Sequence, residues 1–200
     1  MIIKQKELIK SISYDQEEII RWIMRLCNIC RFDVDPTFSK GMFYKNIEKP
    51  RWCSDISPQY SFVRKEDFTN LPIKDDCIKS IMFDPPFVGG SRVGGKPGII
   101  KERFSYYKNV PIELWGMYLK ALKEFYRILL PNGILVFKCQ DTVENGKNWF
   151  SHVEIMNKAV EIGFKIEDLY ILLAKSRIIS SMKKQKHARK FHSYFLVFIK

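Results

Sequence analysis

The chain reads as an α/β protein built on an open sheet. Three short strand-like runs each end in an acid, at Asp35, Asp55 and Asp84, and a helical pattern from Pro111 to Leu130 turns straight into the apolar strand Ile134–Lys138. Nothing repeats at a fixed period and no linker divides the 200 residues, so one domain over 1–200 is expected. Open sheets of this class bind ligands outside the carboxyl ends of their strands. The acid-terminated strands therefore mark one edge as the candidate site.

Composition narrows the class. Hydrophobic residues make up 46% and aromatic residues 14%, enough for a full core and incompatible with a disordered chain. With 34 Lys and Arg against 22 Asp and Glu the formal charge is +12, which favours polyanionic partners such as nucleic acid. No apolar run reaches the ~20 residues of a bilayer-spanning helix, and Met1–Lys6 lacks a signal-peptide core. The five cysteines, Cys27, Cys30, Cys53, Cys77 and Cys139, are odd in number and scattered. Cys27 and Cys30 have C-x-x-C spacing but no second pair or nearby histidine to complete a zinc site. They are expected as core thiols, with no metal, in a reduced, cytoplasmic compartment.

In chain order, segment 1–30 carries an amphipathic helix from Tyr14 to Cys30, with Ile19, Ile20, Ile23, Leu26, Cys27 and Cys30 recurring at three and four. Ser13–Gln16 has the form of a capping box. Arg31–Asp35 reads as a strand and Pro36–Gly41 as a tight strand-to-helix turn. Arg51–Asp55 is a second strand whose acid stands 20 positions after Asp35, a separation at which nucleotide-binding α/β folds place an acid on ribose hydroxyls. Ile81–Phe83 is a buried strand that delivers Asp84-Pro85-Pro86-Phe87. A carboxylate, two carbonyls, a rigid diproline turn and an aromatic face together suit an amino group on a flat heterocycle.

After Phe87 the composition changes. Five of the ten glycines fall in Gly89–Gly98, and Arg92, Lys96, Lys101 and Arg103 are followed by Tyr106 and Tyr107. A mobile basic loop over 88–110 is expected, acting as a substrate lid that contacts phosphates and stacks on bases. Gly90–Lys96 has the spacing of a phosphate-binding loop, but Pro97-Gly98 stands where such a loop needs Ser or Thr and then a helix. Pro131–Gly133 closes the long helix, Ser151–Glu154 is a capping box for a helix ending at Gly163, and Lys165–Ala174 and Ser193–Ile199 are the last strands. Between those strands lie Lys175, Arg177, Lys183, Lys184, Lys186, Arg189 and Lys190, with no acid after Asp168. That stretch is a candidate nucleic-acid surface. His187 and His192 within it make no metal pair and no nucleophile triad, so polar or phosphate-contact roles are expected of them.

The box Asp84-Pro85-Pro86-Phe87 resembles motif IV, (D/N/S)PP(Y/F/W), of the S-adenosylmethionine-dependent amino-methyltransferases, best known from DNA adenine methylases. Asp35–Gly41 is similar to their motif I, D-P-F-x-G-x-G. Asp35, Pro36 and Gly41 match it, while Thr37 and Ser39 replace the Phe and the first Gly. Asp55-Ile56-Ser57-Pro58 resembles motif II, Asp67 stands where the family places motif III, and Tyr126–Gly133 with its following strand resembles the family's helix-turn-strand unit.

The resemblance covers Arg31 to Lys200. It implies a Rossmann-like class I methyltransferase fold: a mostly parallel seven-stranded sheet with a C-terminal antiparallel hairpin and helices on both faces. It also implies S-adenosyl-L-methionine as cofactor, held by Asp35, Pro36, Thr37, Ser39, Gly41, Asp55, Ile56 and Asp67, with Asp84, Pro85, Pro86 and Phe87 as the catalytic box. The implied reaction is methyl transfer to an exocyclic amino group of a flipped-out base, N6 of adenine in DNA before RNA. An RNA adenine or guanine amino-methyltransferase, a protein-lysine methyltransferase and a non-catalytic nucleic-acid-binding subunit are the alternatives; Ser39 at a glycine position bears on the last. Free-standing DNA adenine methylases usually carry a target-recognition domain. Neither Gly41–Asp84 nor the chain after the box has room for one, as in small phage or mobile-element methylases, so a specificity partner or a homodimer is the expected source of target choice.

Overall fold

In chain order the elements are β1 (Ile12–Ser13), α1 (Gln16–Leu26), β2 (Val34–Asp35), β3 (Trp52–Asp55), β4 (Arg64–Lys65), β5 (Ile78–Phe83), α2 (Ile112–Ile128), β6 (Leu129–Cys139), β7 (Thr142–Glu144), β8 (Lys147–Trp149), α3 (Ser151–Ile162), β9 (Lys165–Leu173) and β10 (His192–Ile199). They belong to a computed structural model that describes residues 8–87, 112–144, 146–176 and 185–200. The expected basic loop 88–110, with Arg92, Lys96, Lys101 and Arg103, lies outside the described residues, as do Arg177, Lys183 and Lys184.

One eight-stranded sheet has the order β1-β9-β10-β6-β5-β2-β3-β4. From β6 through β4 the pairings are all parallel, while β10 runs antiparallel to both β6 and β9. The expected parallel sheet and terminal antiparallel hairpin are therefore present, and the strand count is corrected from seven to eight. The extra strand is β1, which pairs parallel with β9 through Ile12↔Ile171 and Ser13↔Leu172. Two residues carry no readable period, so β1 was invisible in the sequence.

Strict alternation along the central strands fills both faces. Ile81, Phe83, Leu135, Phe137, Leu196 and Phe198 point to a cluster with α2 and α3 residues such as Leu122, Phe125, Ile155 and Ala159. Met82, Val136, Phe195 and Val197 point the other way, to Ile19, Ile20, Trp22 and Ile23 of α1 and to Phe38, Phe43, Tyr44 and Ile47. Helices thus cover both faces, but the segment after β2 packs as aromatic-rich irregular chain. The expected strand-to-helix turn is corrected accordingly. Only Met42–Lys49 separate Gly41 from Pro50, and their buried rings do a helix's work of covering the sheet.

Several element ends differ from the sequence expectation. Helix α1 is capped by Asp15, whose side chain accepts from the Glu17 N–H at 2.8 Å, while Ser13 Oγ accepts from the Asp15 N–H. It stops at Leu26, leaving Cys27 half-buried and Cys30 exposed, so Cys30 is not a core thiol. Pro131–Gly133 does not separate helix from strand. It is a bulge inside β6, between the pairs Ile78↔Leu129 and Ser80↔Ile134, with Asn132 at φ 63°. The capping box at Ser151–Glu154 does not form. Ser151 Oγ accepts from Trp115 Nε1, and Asp141 Oδ1 takes the His152 N–H at the start of α3. Gly163 does end α3, its N–H bonding the Ala159 and Val160 carbonyls.

Candidate functional site

Chain direction across the sheet reverses at β2. From β2 the chain steps outward to β3 and β4, then returns to β5 on the other side of β2. Such a switch point opens a crevice at the carboxyl ends of the strands. Asp35 closes β2, Asp55 closes β3, and Asp84 follows directly on β5. Here the segment Asp35–Gly41 and the box Asp84–Phe87 face each other.

Thr37 joins the two. Its Oγ1 donates to Asp35 Oδ1 at 3.1 Å and accepts from the Asp84 N–H at 2.9 Å. Asp35 Oδ1 also accepts from the Thr37 N–H at 2.8 Å, and Oδ2 from the Tyr44 hydroxyl at 2.7 Å. Burial pushes the Asp35 carboxyl up to about 7, against the opposing pull of those three donors. A raised carboxyl means that the folded chain holds a proton that the unfolded chain releases. Its contribution to stability is full below about pH 4 and is lost as the pH rises through 7.

The box is tied down on its other side by α2, since the Tyr118 hydroxyl donates to the Pro86 carbonyl at 2.5 Å. Pro85 is buried; Asp84, Pro86 and Phe87 are half-buried. Lys138 Nζ meets Asp84 Oδ2 at 3.4 Å. Burial raises the Asp84 carboxyl and Lys138 opposes that shift. No described residue donates to Asp84 Oδ1.

The turn after β2 depends on two left-handed residues, Ser39 at φ 49° and Gly41 at φ 63°. A Cβ on Gly41 would sit 2.5 Å from the Phe38 ring, so glycine is required there twice over, by space and by φ. Ser39 adopts the conformation that a glycine would take freely, and its N–H is held by Asp55 Oδ2 at 3.0 Å. Asp55 Oδ1 accepts from the Ser57 N–H at 2.8 Å. Ser39→Gly is expected to raise unfolding stability by about 0.5–1 kcal/mol, the left-handed cost of a Cβ less glycine's own entropy. The urea midpoint measures it.

The structure brings Asp35, Pro36, Thr37, Ser39, Gly41, Asp55 and Asp84–Phe87 to one edge. Ile56 is exposed beside them. Asp67 is exposed beyond the outer strand β4, where its Oδ1 accepts from the Thr69 N–H and hydroxyl, each at 2.8 Å, as in a local turn. Sequence reading missed Lys138, Tyr44 and Tyr118. Lys138 left one signal, a cation closing an otherwise apolar strand.

The register Tyr194↔Cys139 places the start of β10, and with it Lys186, Arg189 and Lys190, at the same edge as the end of β6. The unexpected hairpin β7–β8 stands beside this segment. His187 Nε2 shares a hydrogen bond with the Gly146 carbonyl at 2.6 Å, and Lys190 Nζ lies 5.4 Å from the centre of the Phe150 ring. His192 pairs with the Tyr194 hydroxyl at 2.8 Å, and His152 Nδ1 with Asp141 Oδ1 at 2.8 Å. Among the described residues no group of three or more His, Cys, Asp or Glu could hold a metal, and no helix is long and apolar enough to cross a membrane.

No family model and no curated protein matches the sequence. Solved structures do resemble the fold. A Galdieria sulphuraria protein assigned as a sarcosine dimethylglycine methyltransferase aligns with a TM-score of 0.55 at 12% identity, over 92% of this chain and 84% of that one. TrmN from Thermus thermophilus aligns with a TM-score of 0.51 at 12% identity, over 92% of this chain and 48% of its own. TTHA0409, also from Thermus thermophilus, assigned as a DNA modification methylase and solved with S-adenosyl-L-methionine, aligns at 0.45 and 15% identity, over 67% and 53%. This chain thus spans about half the length of TrmN and of TTHA0409. The fold is that of the Rossmann-like S-adenosylmethionine-dependent methyltransferases.

Proposed function

We propose that the chain transfers a methyl group from S-adenosyl-L-methionine to an exocyclic amino group of a nucleic-acid base, N6 of adenine in DNA first. The observation that carries this reading is the Thr37 bridge, which locks the turn 35–41 against the Asp84–Phe87 box across the switch point. The donor set fits the cofactor: a tight turn with a glycine at φ 63° lets backbone come close to it, and Asp55 stands at the next strand end. Asp35, Pro36, Thr37, Ser39, Gly41, Asp55 and Ile56 would hold it; Asp67, outside the crevice, would reach its adenine only from the rim. When bound, S-adenosylmethionine supplies an electrophilic methyl on a sulfonium.

The chain's own residues then do three things. The Asp84 carboxylate and the Pro85 carbonyl accept the two hydrogens of the target amine, which turns the nitrogen lone pair away from the ring. Phe87 stacks on the base, with Pro86 and Tyr118 fixing the box from behind. Holding amine and donor in line supplies most of the acceleration, since intramolecular geometry alone is worth up to roughly 7–11 kcal/mol. Lys186, Arg189 and Lys190 lie on the same edge and suit the flanking phosphates, a role also proposed for Arg92, Lys96, Lys101, Arg103, Lys183 and Lys184. In the same reading a specificity partner or a second copy contributes to target choice.

Labelled S-adenosylmethionine incubated with the full chain and separate DNA, RNA and protein pools tests the reading, with nucleosides identified by mass. N6-methyladenine in DNA is the expected product. N4-methylcytosine, label in RNA alone or label in protein alone would each replace the proposed substrate, and absence of label with every pool would refute the activity.

A further inference from the structure

Lys138 is hard to account for by packing. It lies in β6 on the face formed by Met82, Val136, Phe195 and Val197, where an apolar residue would extend the core, and it is 8% exposed. Burying a lysine there is unfavourable without a partner, and even a paired buried ion contributes little to stability. Its partner is set by register. Phe83↔Phe137 makes Asp84 and Lys138 the next neighbours beyond the paired strands, and Nζ meets Asp84 Oδ2 at 3.4 Å. Three rings surround the ammonium, with centres 4.8 Å (Phe43), 5.5 Å (Phe195) and 5.6 Å (Phe87) away. One of these, Phe87, belongs to the box itself.

We infer that Lys138 is a positioning residue for the amino-group acceptor: it engages one oxygen of Asp84, keeps the carboxylate in its accepting form and leaves Oδ1 to the target amine. The inference rests on the proposed amino-methyl transfer. Among the described residues, Asp35, Tyr44 and Lys138 are charged or titratable groups facing Asp84. Asp35 and Tyr44 lie on the β2 side, hydrogen-bonded to each other, and both feel the Asp84 charge; Lys138 faces it from β6. Burial favours the neutral acid at Asp84, as at Asp35, and among the described residues Lys138 is the cation that opposes it. A protonated Asp84 would present an O–H donor to an N–H donor, the wrong polarity for holding an amine. Lys138 therefore decides at which pH the acceptor is usable.

Lys138→Met, which keeps the stem and removes the charge, tests this beside Lys138→Arg. The Asp84 carboxyl is followed by carbon-13 NMR against pH in the full chain without substrate, and kcat/KM for methyl transfer is followed over the same range. In Lys138→Met the Asp84 titration should move up by about one pH unit or more. The acid limb of kcat/KM should move with it, and Lys138→Arg should restore both. S-adenosylmethionine affinity above the shifted limb should stay within about twofold of the wild type. Should the Met variant fail to fold, Lys138→Gln carries the same comparison. An unmoved Asp84 titration, or activity lost equally at every pH with no rescue by Arg, overturns the inference and leaves Lys138 a packing residue. The two ideas fail separately: a wild type that methylates nothing removes the proposed reaction, whereas the NMR titration still reports whether Lys138 governs Asp84.

Discussion

Asp84→Ala should abolish methyl transfer while leaving cofactor binding nearly intact. The carboxylate is the box's one charged acceptor, and removing a preorganised polar contact to a reacting group typically lowers kcat by on the order of 10²–10³. Among the described residues, the Asp84 side chain makes no hydrogen bond to the turn 35–41. Its backbone N–H donates to Thr37 Oγ1, and that bond survives the substitution. The expected result is therefore a split, with kcat falling and the dissociation constant for S-adenosylmethionine shifting little. Truncation also leaves the Lys138 ammonium without its carboxylate, so a lower melting temperature should accompany the loss. Asp84→Asn, which keeps an oxygen for Lys138, should be as inactive yet closer to wild type in stability. Equal loss of binding and turnover in both variants would place Asp84 in the cofactor's site and not at the acceptor.

Gly41→Val should do the reverse. A β-branched residue at φ 63° is strained by ~1–2 kcal/mol, and its Cβ would drive into the Phe38 ring at 2.5 Å. Phe38 stacks on Tyr44 with ring centres 5.5 Å apart, and the Tyr44 hydroxyl holds Asp35. The strain thus passes along the turn to the carboxylate at the end of β2. Cofactor affinity should fall by roughly 10–100-fold, equivalent to ~1.4–2.8 kcal/mol. Phe38 and Tyr44 belong to the core on the α1 face, so a lower melting temperature should accompany the loss, while the core on the other face is not touched and circular dichroism should remain that of the folded chain.

Much of this edge was readable because acids end apolar strands in the right order. Asp35 and Asp55 each close a strand, Asp84 directly follows one, and prolines stop two of those strands in the sequence itself. The doubt raised by Ser39 could be addressed only in three dimensions, where the serine takes φ 49° and Asp55 holds its N–H. Lys138 was hidden because its meaning depends on the pairing of β5 with β6, a long-range fact that no local pattern carries. The capping box at Ser151 failed because Asp141, ten residues earlier in the chain, reaches the same helix start. Strands β7 and β8 had a usable signal in the Asn145-Gly146 dipeptide, but three residues on either side are too few for a period to emerge. The bulge at Pro131–Gly133 misled for a physical reason: Pro-x-Gly stops a helix and interrupts a strand equally well.

Calorimetric titration of S-adenosyl-L-methionine into the full chain, its Asp84→Ala form and its Gly41→Val form tests the crevice most directly. One saturable site is expected for the wild type, retained in Asp84→Ala and weakened in Gly41→Val. No binding to the folded wild type, or binding that Gly41→Val leaves unchanged, would contradict the assignment of the β2 turn as the cofactor's seat.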